Sequence, residues 1–169
     1  MLKTRLFILL MMLLSCMQVS ATNLKIFKGD DQVPALQLQD LQGKVHNLND
    51  YKGQVVLLQF WATYCPPCRK EMPSMNNLQK KMADVPFKIL AVDMGESRAE
   101  VDEFISQVKP EFTILMDPEG ESIAAWKVYA APSNFIIDTQ GKIRYTLYGG
   151  VEWDSPEMVK QLKALVVTQ

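Results

Sequence analysis

The chain has 169 residues, 48% of them hydrophobic, with 18 basic and 19 acidic side chains and a formal charge of −1. That length makes one domain, and that apolar share can bury a real core. A near-neutral balance offers no basic field for nucleic acid, and a single histidine argues against a His-rich metal centre or a Ser-His-Asp enzyme.

Residues 1–21 stand apart from the fold. Lys3 and Arg5 precede an unbroken apolar run, Leu6 to Leu14, that is too short for an ordinary membrane span. Val19-Ser20-Ala21 then supplies the small residues a signal peptidase reads. Leu13-Leu14-Ser15-Cys16 resembles a bacterial lipobox with Cys16 as the lipidated residue, although Leu14 stands where that pattern takes a small residue. Three outcomes stay open: cleavage after Ala21, lipidation at Cys16, or retention as an anchor. Each places the domain on the periplasmic or extracytoplasmic side of a bacterial membrane, with membrane contact only through a retained N-terminal anchor.

The remaining cysteines are Cys65 and Cys68. The loop they close is too short to staple a fold. In an exported protein such a pair points to redox chemistry through a Cys65–Cys68 disulfide.

Residues 22–34 read as an ordered lead-in or a linker, and 35–169 as the folded domain. Ala35-Leu36-Gln37-Leu38-Gln39 and Lys44-Val45-His46-Asn47-Leu48 alternate around an Asp40-Leu41-Gln42-Gly43 turn, which predicts an N-terminal β-hairpin with His46 as a surface residue. Val55 to Trp61 is too apolar to alternate and predicts a strand buried on both faces. From Pro66 the apolar positions Met72, Met75, Leu78 and Met82 recur at helical spacing, with Pro73 expected to bend the helix. Phe87 to Asp93 predicts a second buried strand, with Asp93 at its end facing the loop. Ser97 or Glu96 opens a helix whose apolar face is Val101, Phe104, Ile105 and Val108. A short strand at Phe112–Leu115 and a short helix at Ser122–Trp126 follow. Ser133–Asp138 and Ile143–Tyr148 flank a turn, and a last helix begins at Ser155-Pro156-Glu157. Strands alternating with helices predict an α/β fold, a central sheet covered on both faces, with the αβ unit around Val101 to Leu115 as an insertion.

The chemistry centres on Trp61-Ala62-Thr63-Tyr64-Cys65-Pro66-Pro67-Cys68-Arg69-Lys70-Glu71-Met72-Pro73. A thiol does redox work as a thiolate, and a helix N-terminus supplies the positive dipole and free N–H groups that favour one. Cys65 falls at that terminus and Cys68 one turn inside. Cys65 is therefore the expected attacking thiol and Cys68 the buried resolving thiol. Pro66 and Pro67 stiffen the turn and lack N–H donors. Glu71, three residues beyond Cys68, can share its face as a proton acceptor; the competing expectation is a solvated acid beside Arg69 and Lys70.

Phe60-Trp61-Ala62-x-x-Cys65-x-x-Cys68 resembles the thioredoxin superfamily, and the stretch to Glu71 and Pro73 is similar to its TlpA/ResA branch of exported thiol–disulfide oxidoreductases. The resemblance continues through Val128-x-x-x-Pro132-x-x-Phe135-Ile136-Ile137-Asp138 and covers nearly everything from Pro34 onward. It implies a thioredoxin-like fold with a central mixed sheet, a cis bond before Pro132, and Ala131 presenting main-chain groups to a substrate. It implies a substrate surface formed by Trp61, Tyr64, Pro66, Pro67, Ala131 and Pro132, with Trp61 partly core and partly a lid. Gln59 replaces the buried aspartate of thioredoxin and cannot take a proton, which shifts that duty to Glu71. The implied partners are protein thiols and disulfides, with a membrane thiol electron donor. The implied direction is reduction, as in cytochrome maturation or metal-centre assembly, with a disulfide-forming oxidant as the alternative. No cofactor is expected, since no Gly-rich nicotinamide fingerprint occurs. A copper-delivery module of the same fold lacks further ligands. The peroxiredoxin pattern Pro-x-x-x-Thr-x-x-Cys is missing, and Arg69 stands where haem attachment would need histidine.

Overall fold

The computed structural model describes residues 24–29 and 33–167. Residues 1–21, expected to be a leader, lie outside the described residues together with Cys16. In chain order the strands are β1 (Lys25–Ile26), β2 (Gln37–Asp40), β3 (Val45–Asn47), β4 (Val55–Trp61), β5 (Phe87–Asp93), β6 (Thr113–Met116), β7 (Ser133–Ile137) and β8 (Ile143–Tyr148). The helices are α1 (Pro66–Lys81), α2 (Arg98–Val108), α3 (Glu121–Ala125) and α4 (Pro156–Val167), with a 3-10 turn at Leu48–Tyr51. Among the described residues no helix is long and apolar enough to cross a membrane.

The strands form one mixed sheet in the order β1-β8-β7-β4-β5-β6-β2-β3. β4 lies at its centre, parallel to β5 and antiparallel to β7, and all seven of its residues are buried. Its alternation divides the core in two. Val55, Leu57 and Trp61 join the cluster beneath α1, α2 and α4, while Val56, Leu58 and Phe60 join the cluster on the other face. Gln59 has the parity of Leu57 and Trp61, so the one polar residue of the strand faces α1.

Helices cover both faces, but unequally. The crossovers β4-α1-β5 and β5-α2-β6 step the same way across the sheet, and right-handed connections in one direction put both helices on one face. The return from β6 to β7 passes back over β5 and β4, and Ile123 packs α3 into the cluster on the opposite face. That face is closed by Trp126 and Val128, with Leu36, Leu48 and Tyr51 beside them.

One expectation, the exposed His46, is overturned, and others gain detail. The segment before Pro34 contains a strand, because Lys25 pairs with Thr146 and Ile26 with Tyr145 at the sheet edge. The N-terminal hairpin adds to the other edge, where β2 pairs with β6. His46 is buried rather than exposed, held between the Asp40 carboxylate at 2.8 Å and the Tyr51 hydroxyl. α1 continues through Pro73, which cannot supply the N–H that the Arg69 carbonyl would otherwise accept.

α2 begins where a capping box closes it: Ser97 Oγ accepts from the Glu100 amide, and Glu100 Oε2 accepts from the Ser97 amide at 2.8 Å. From this helix Phe104 reaches the Trp61 ring, centroids 4.9 Å apart, while the Arg69 guanidinium lies 4.8 Å from the Phe104 centroid. Phe104 thus props the end of β4 just before the dithiol. Phe104→Ala should cost about 3–5 kcal/mol in urea unfolding of the oxidised protein; a loss below about 1 kcal/mol would show that the neighbouring side chains collapse into the space.

Candidate active site

The site sits where β4 hands over to α1. After Trp61 the chain turns through Ala62-Thr63-Tyr64, and the Cys65 amide donates to the Ala62 carbonyl at 3.2 Å. Cys65 is the N-cap of α1, extended at φ −91° and ψ 102°, and its sulfur accepts from the Cys68 amide at 3.3 Å. Pro66 and Pro67 occupy the first helical positions, where an amide N–H has no intrahelical acceptor, so the missing donors cost the helix nothing. The Cys65 and Cys68 sulfurs are bonded to each other, with Cα atoms 5.3 Å apart. Cys65 is 6% exposed and Cys68 is sealed at 0%, so the outer sulfur is the one a partner can reach.

Pro66, Pro67 and Tyr64 are exposed beside it. Trp61 is not: it is fully enclosed between β4 and Phe104, and its Nε1 meets no acceptor. The expectation of a lid over the dithiol is corrected to a core residue beneath it, because the parity of β4 turns Trp61 inward. The Ala131–Pro132 bond is cis. Ser133 pairs with Phe60, which sets Pro132 level with Trp61 and brings this loop beside the β4–α1 turn. Gly149 donates to the Pro132 carbonyl at 3.0 Å. Among the described residues neither main-chain group of Ala131 is engaged in a hydrogen bond. Tyr129 and Tyr148 are two further exposed aromatics near this loop, one ahead of Ala131 and the other paired with Ser133.

Glu71 is buried, not solvated, at 2% exposure. Its Oε1 accepts from Gln59 Nε2 at 2.6 Å, and its Oε2 accepts from the Val151 amide and from Trp153 Nε1, each at 3.1 Å. Gln59 also donates to Asn134 Oδ1 at 3.1 Å, and Asn134 in turn to the Leu147 carbonyl at 3.2 Å. One carboxyl therefore ties α1 to β4 and to the segment after β8. Burial pushes its pKa up to about 7, against the opposing pull of the Val151, Trp153 and Gln59 donors. A cavity of about 350 Å³, lined by Pro67, Lys70, Glu71, Gly150, Val151 and Glu152, connects it to the surface. Gly150 keeps that passage open. A Cβ there would lie 3.1 Å from the Pro67 carbonyl oxygen and 3.6 Å from Glu71 Oε2.

Cys65 caps α1, and Cys68 and Glu71 both lie on its buried side, whereas the Glu71 donors Val151 and Trp153, about eighty positions further on in the chain, lie beyond any reading of local spacing. Sequence spacing placed Asp93 at the loop, whereas Asp93 is fully buried. The alternation Ile89, Ala91, Asp93 on a core-facing parity was the available signal.

Residues 30–146 match the family model AhpC/TSA. The chain belongs to the AhpC/TSA family. Within reach of that family it is similar to the thiol-disulfide oxidoreductase ResA of Bacillus thuringiensis subsp. konkukian, 38% identical over 118 residues that cover 70% of this chain and 68% of the relative. ResA of Bacillus subtilis strain 168 is 33% identical over 150 residues, covering 83% of each. Among solved structures, a protein described as thiol:disulfide interchange protein DsbE from Chlorobium tepidum superposes with a TM-score of 0.75 at 34% identity, over 84% of this chain and 99% of that one. The exposed lipoprotein thioredoxin Etrx1 of Streptococcus pneumoniae superposes with a TM-score of 0.67 at 28% identity, over 78% and 99%. The fold of this AhpC/TSA member is thioredoxin-like, and its relatives are ResA and DsbE proteins.

The buried carboxyl has a thermodynamic signature. A carboxyl whose pKa is raised by folding leaves stability intact below its unfolded value and lowers it as pH rises to the folded value. Glu71 therefore weakens the fold between about pH 4.5 and about 7. Urea unfolding of the oxidised protein at about pH 5 and about pH 8 should show a larger loss for wild type than for Glu71→Gln. Equal losses would mean that Glu71 ionises freely.

Proposed function

We propose that this chain is an extracytoplasmic thiol–disulfide oxidoreductase that reduces disulfides in protein substrates. The observation that carries the proposal is the Cys65–Cys68 pair, one sulfur at a helix N-cap and the other sealed beneath it.

In the reduced enzyme the Cys65 thiolate faces the helix N-terminus and the Cys68 amide, both of which favour negative charge on sulfur. It attacks one sulfur of a substrate disulfide. A Cys65–substrate disulfide forms and the other substrate sulfur leaves as thiolate. Glu71 carboxylate then takes the Cys68 proton, Cys68 attacks the Cys65 sulfur, and the second substrate sulfur leaves as thiolate to be protonated from Glu71 or water. Two electrons pass from the dithiol to the substrate, leaving the Cys65–Cys68 disulfide. Ala131 offers an unengaged amide and carbonyl to an extended substrate backbone. Tyr64, Pro66 and Pro67 form the surface around the reacting sulfur, Tyr129 and Tyr148 enlarge it, and Pro132, expected on that surface, is buried beneath it.

The leader-like residues 1–21 and the likeness to an exposed lipoprotein support the extracytoplasmic assignment. A membrane thiol donor would restore the dithiol. Similarity to the thiol-disulfide oxidoreductase ResA supports the disulfide exchange chemistry, while the reducing direction and a role in cytochrome maturation are what the TlpA/ResA resemblance of the motif implies.

Insulin disulfide reduction tests the mechanism. Cys65→Ser should abolish it, and Cys68→Ser should accumulate a mixed disulfide through Cys65; retained activity in Cys65→Ser would overturn the assignment. Equilibration with glutathione fixes the direction: a potential near about −270 mV supports a reductase, and one near about −120 mV an oxidant.

A further inference from the structure

A second buried acid lies on the opposite flank of the dithiol turn from Glu71. Asp93 is the last residue of β5, fully buried and level with Trp61 across the parallel pair. Its Oδ1 accepts from the Glu96 amide at 2.9 Å. Its Oδ2 is buried, and no N–H or hydroxyl among the described residues reaches it. The Glu96 carboxyl lies within side-chain hydrogen-bonding reach of the Asp93 carboxyl.

Glu96 in turn holds the dithiol turn. Its Oε2 accepts from the Thr63 amide at 2.6 Å, and its Oε1 accepts from the Thr63 hydroxyl. Thr63 stands two residues before Cys65, between the end of β4 and the N-cap of α1. Both donors of Thr63 are spent on one carboxylate. That carboxylate meets another carboxyl from below, and two carboxylates in contact cannot both ionise without strong repulsion. A single proton on Asp93 resolves this: its hydroxyl donates to Glu96, and Glu96 keeps its charge for Thr63.

We propose that Asp93 and Glu96 form a proton-sharing clamp that positions the Thr63-Tyr64-Cys65 turn, closed while one proton is held between the two carboxyls and loosened when that proton is lost. Asp93 and Glu96 are positioning residues; they act on Cys65 through Thr63. Burial, followed by the neighbouring Glu96, raises the Asp93 pKa to about 7, so the clamp would open within the range a cell-surface protein meets.

Other charged groups around the pair are engaged elsewhere. Asp117, at the end of β6, turns its carboxylate to the Ser122 and Ile123 amides. On α2, Arg98 pairs with Asp102 at 2.8 Å, and Glu100 caps Ser97. From α1, Arg69 lies over Phe104. Burial raises the Asp93 pKa first, and Glu96 is the ionisable neighbour that adds to it. The assignment rests on Cys65 being the working thiol, but the clamp itself can be read without turnover.

The test follows the Thr63 amide by NMR in the oxidised full-length protein, where neither cysteine titrates. Its proton shift should show a step near pH 7, and its exchange rate, corrected for base catalysis, should rise about tenfold across that step. In Asp93→Asn the amide group donates to Glu96 at every pH, so the step should vanish and protection should persist. In Glu96→Gln the repulsion is removed while the burial of Asp93 remains, so the step should shrink and move to lower pH. A step of wild-type size in either variant would overturn the proposal, as would a wild-type Thr63 amide with no step. Because the protein is oxidised and idle, these outcomes are independent of whether Cys65→Ser abolishes insulin reduction.

Discussion

The structure around the dithiol depends on one buried carboxyl. Glu71 receives Gln59 from the central strand, and Val151 and Trp153 from the segment that follows β8. These three donors come from the central strand and from the segment after β8, and the acid projects from the helix whose N-cap is Cys65. Burying a carboxyl is costly unless donors surround it, and even then the neutral form gains. Three donors suffice to keep Glu71 inside the fold while leaving its pKa near 7. That balance is what a group needs in order to accept a proton from one thiol and release it later.

The central strand explains why this acid is where it is. β4 is hydrophobic on both faces except at Gln59, and its parity sends that residue toward α1. An aspartate there would compete with Glu71 for the same proton. A glutamine instead donates to Glu71, and its own carbonyl oxygen is left without a donor among the described residues. The polar pair is thus asymmetric: one side chain holds the other and only one of them titrates. On the far flank, Asp93 and Glu96 repeat the theme with two acids and bear on Thr63 rather than on Cys68. The dithiol turn thus sits between two sets of buried acids, for which we propose the roles of proton acceptor and proton-dependent clamp.

Much of this was legible in the sequence. An apolar run from Val55 to Trp61 interrupted only by Gln59, two cysteines a turn apart, and prolines at the helix start each have a local cause, and each appears in the structure within a residue or so. The spacing of Glu71 from Cys68 was likewise local. The donors that make Glu71 useful were not, because Val151 and Trp153 reach it through tertiary packing that no short window contains. Trp61 and Asp93 were misplaced for a related reason. Both end strands, where the chain looks as if it should surface, yet parity carries their side chains into the core and α2 covers them. His46 was misplaced because its partners, Asp40 and Tyr51, draw a hairpin histidine inward that the alternation alone would leave outside.

The central claim is that Glu71 takes the Cys68 proton during disulfide closure. The direct measurement is the stopped-flow rate at which Cys68 displaces a chromophoric thiol from a preformed Cys65 mixed disulfide, followed across pH. The account predicts that the wild-type rate rises as pH passes about 7 and then levels, and that Glu71→Gln is slower by about a hundredfold at neutral pH, rising only where Cys68 ionises by itself. A Glu71→Gln protein that closes at the wild-type rate, with the wild-type pH profile, would contradict it.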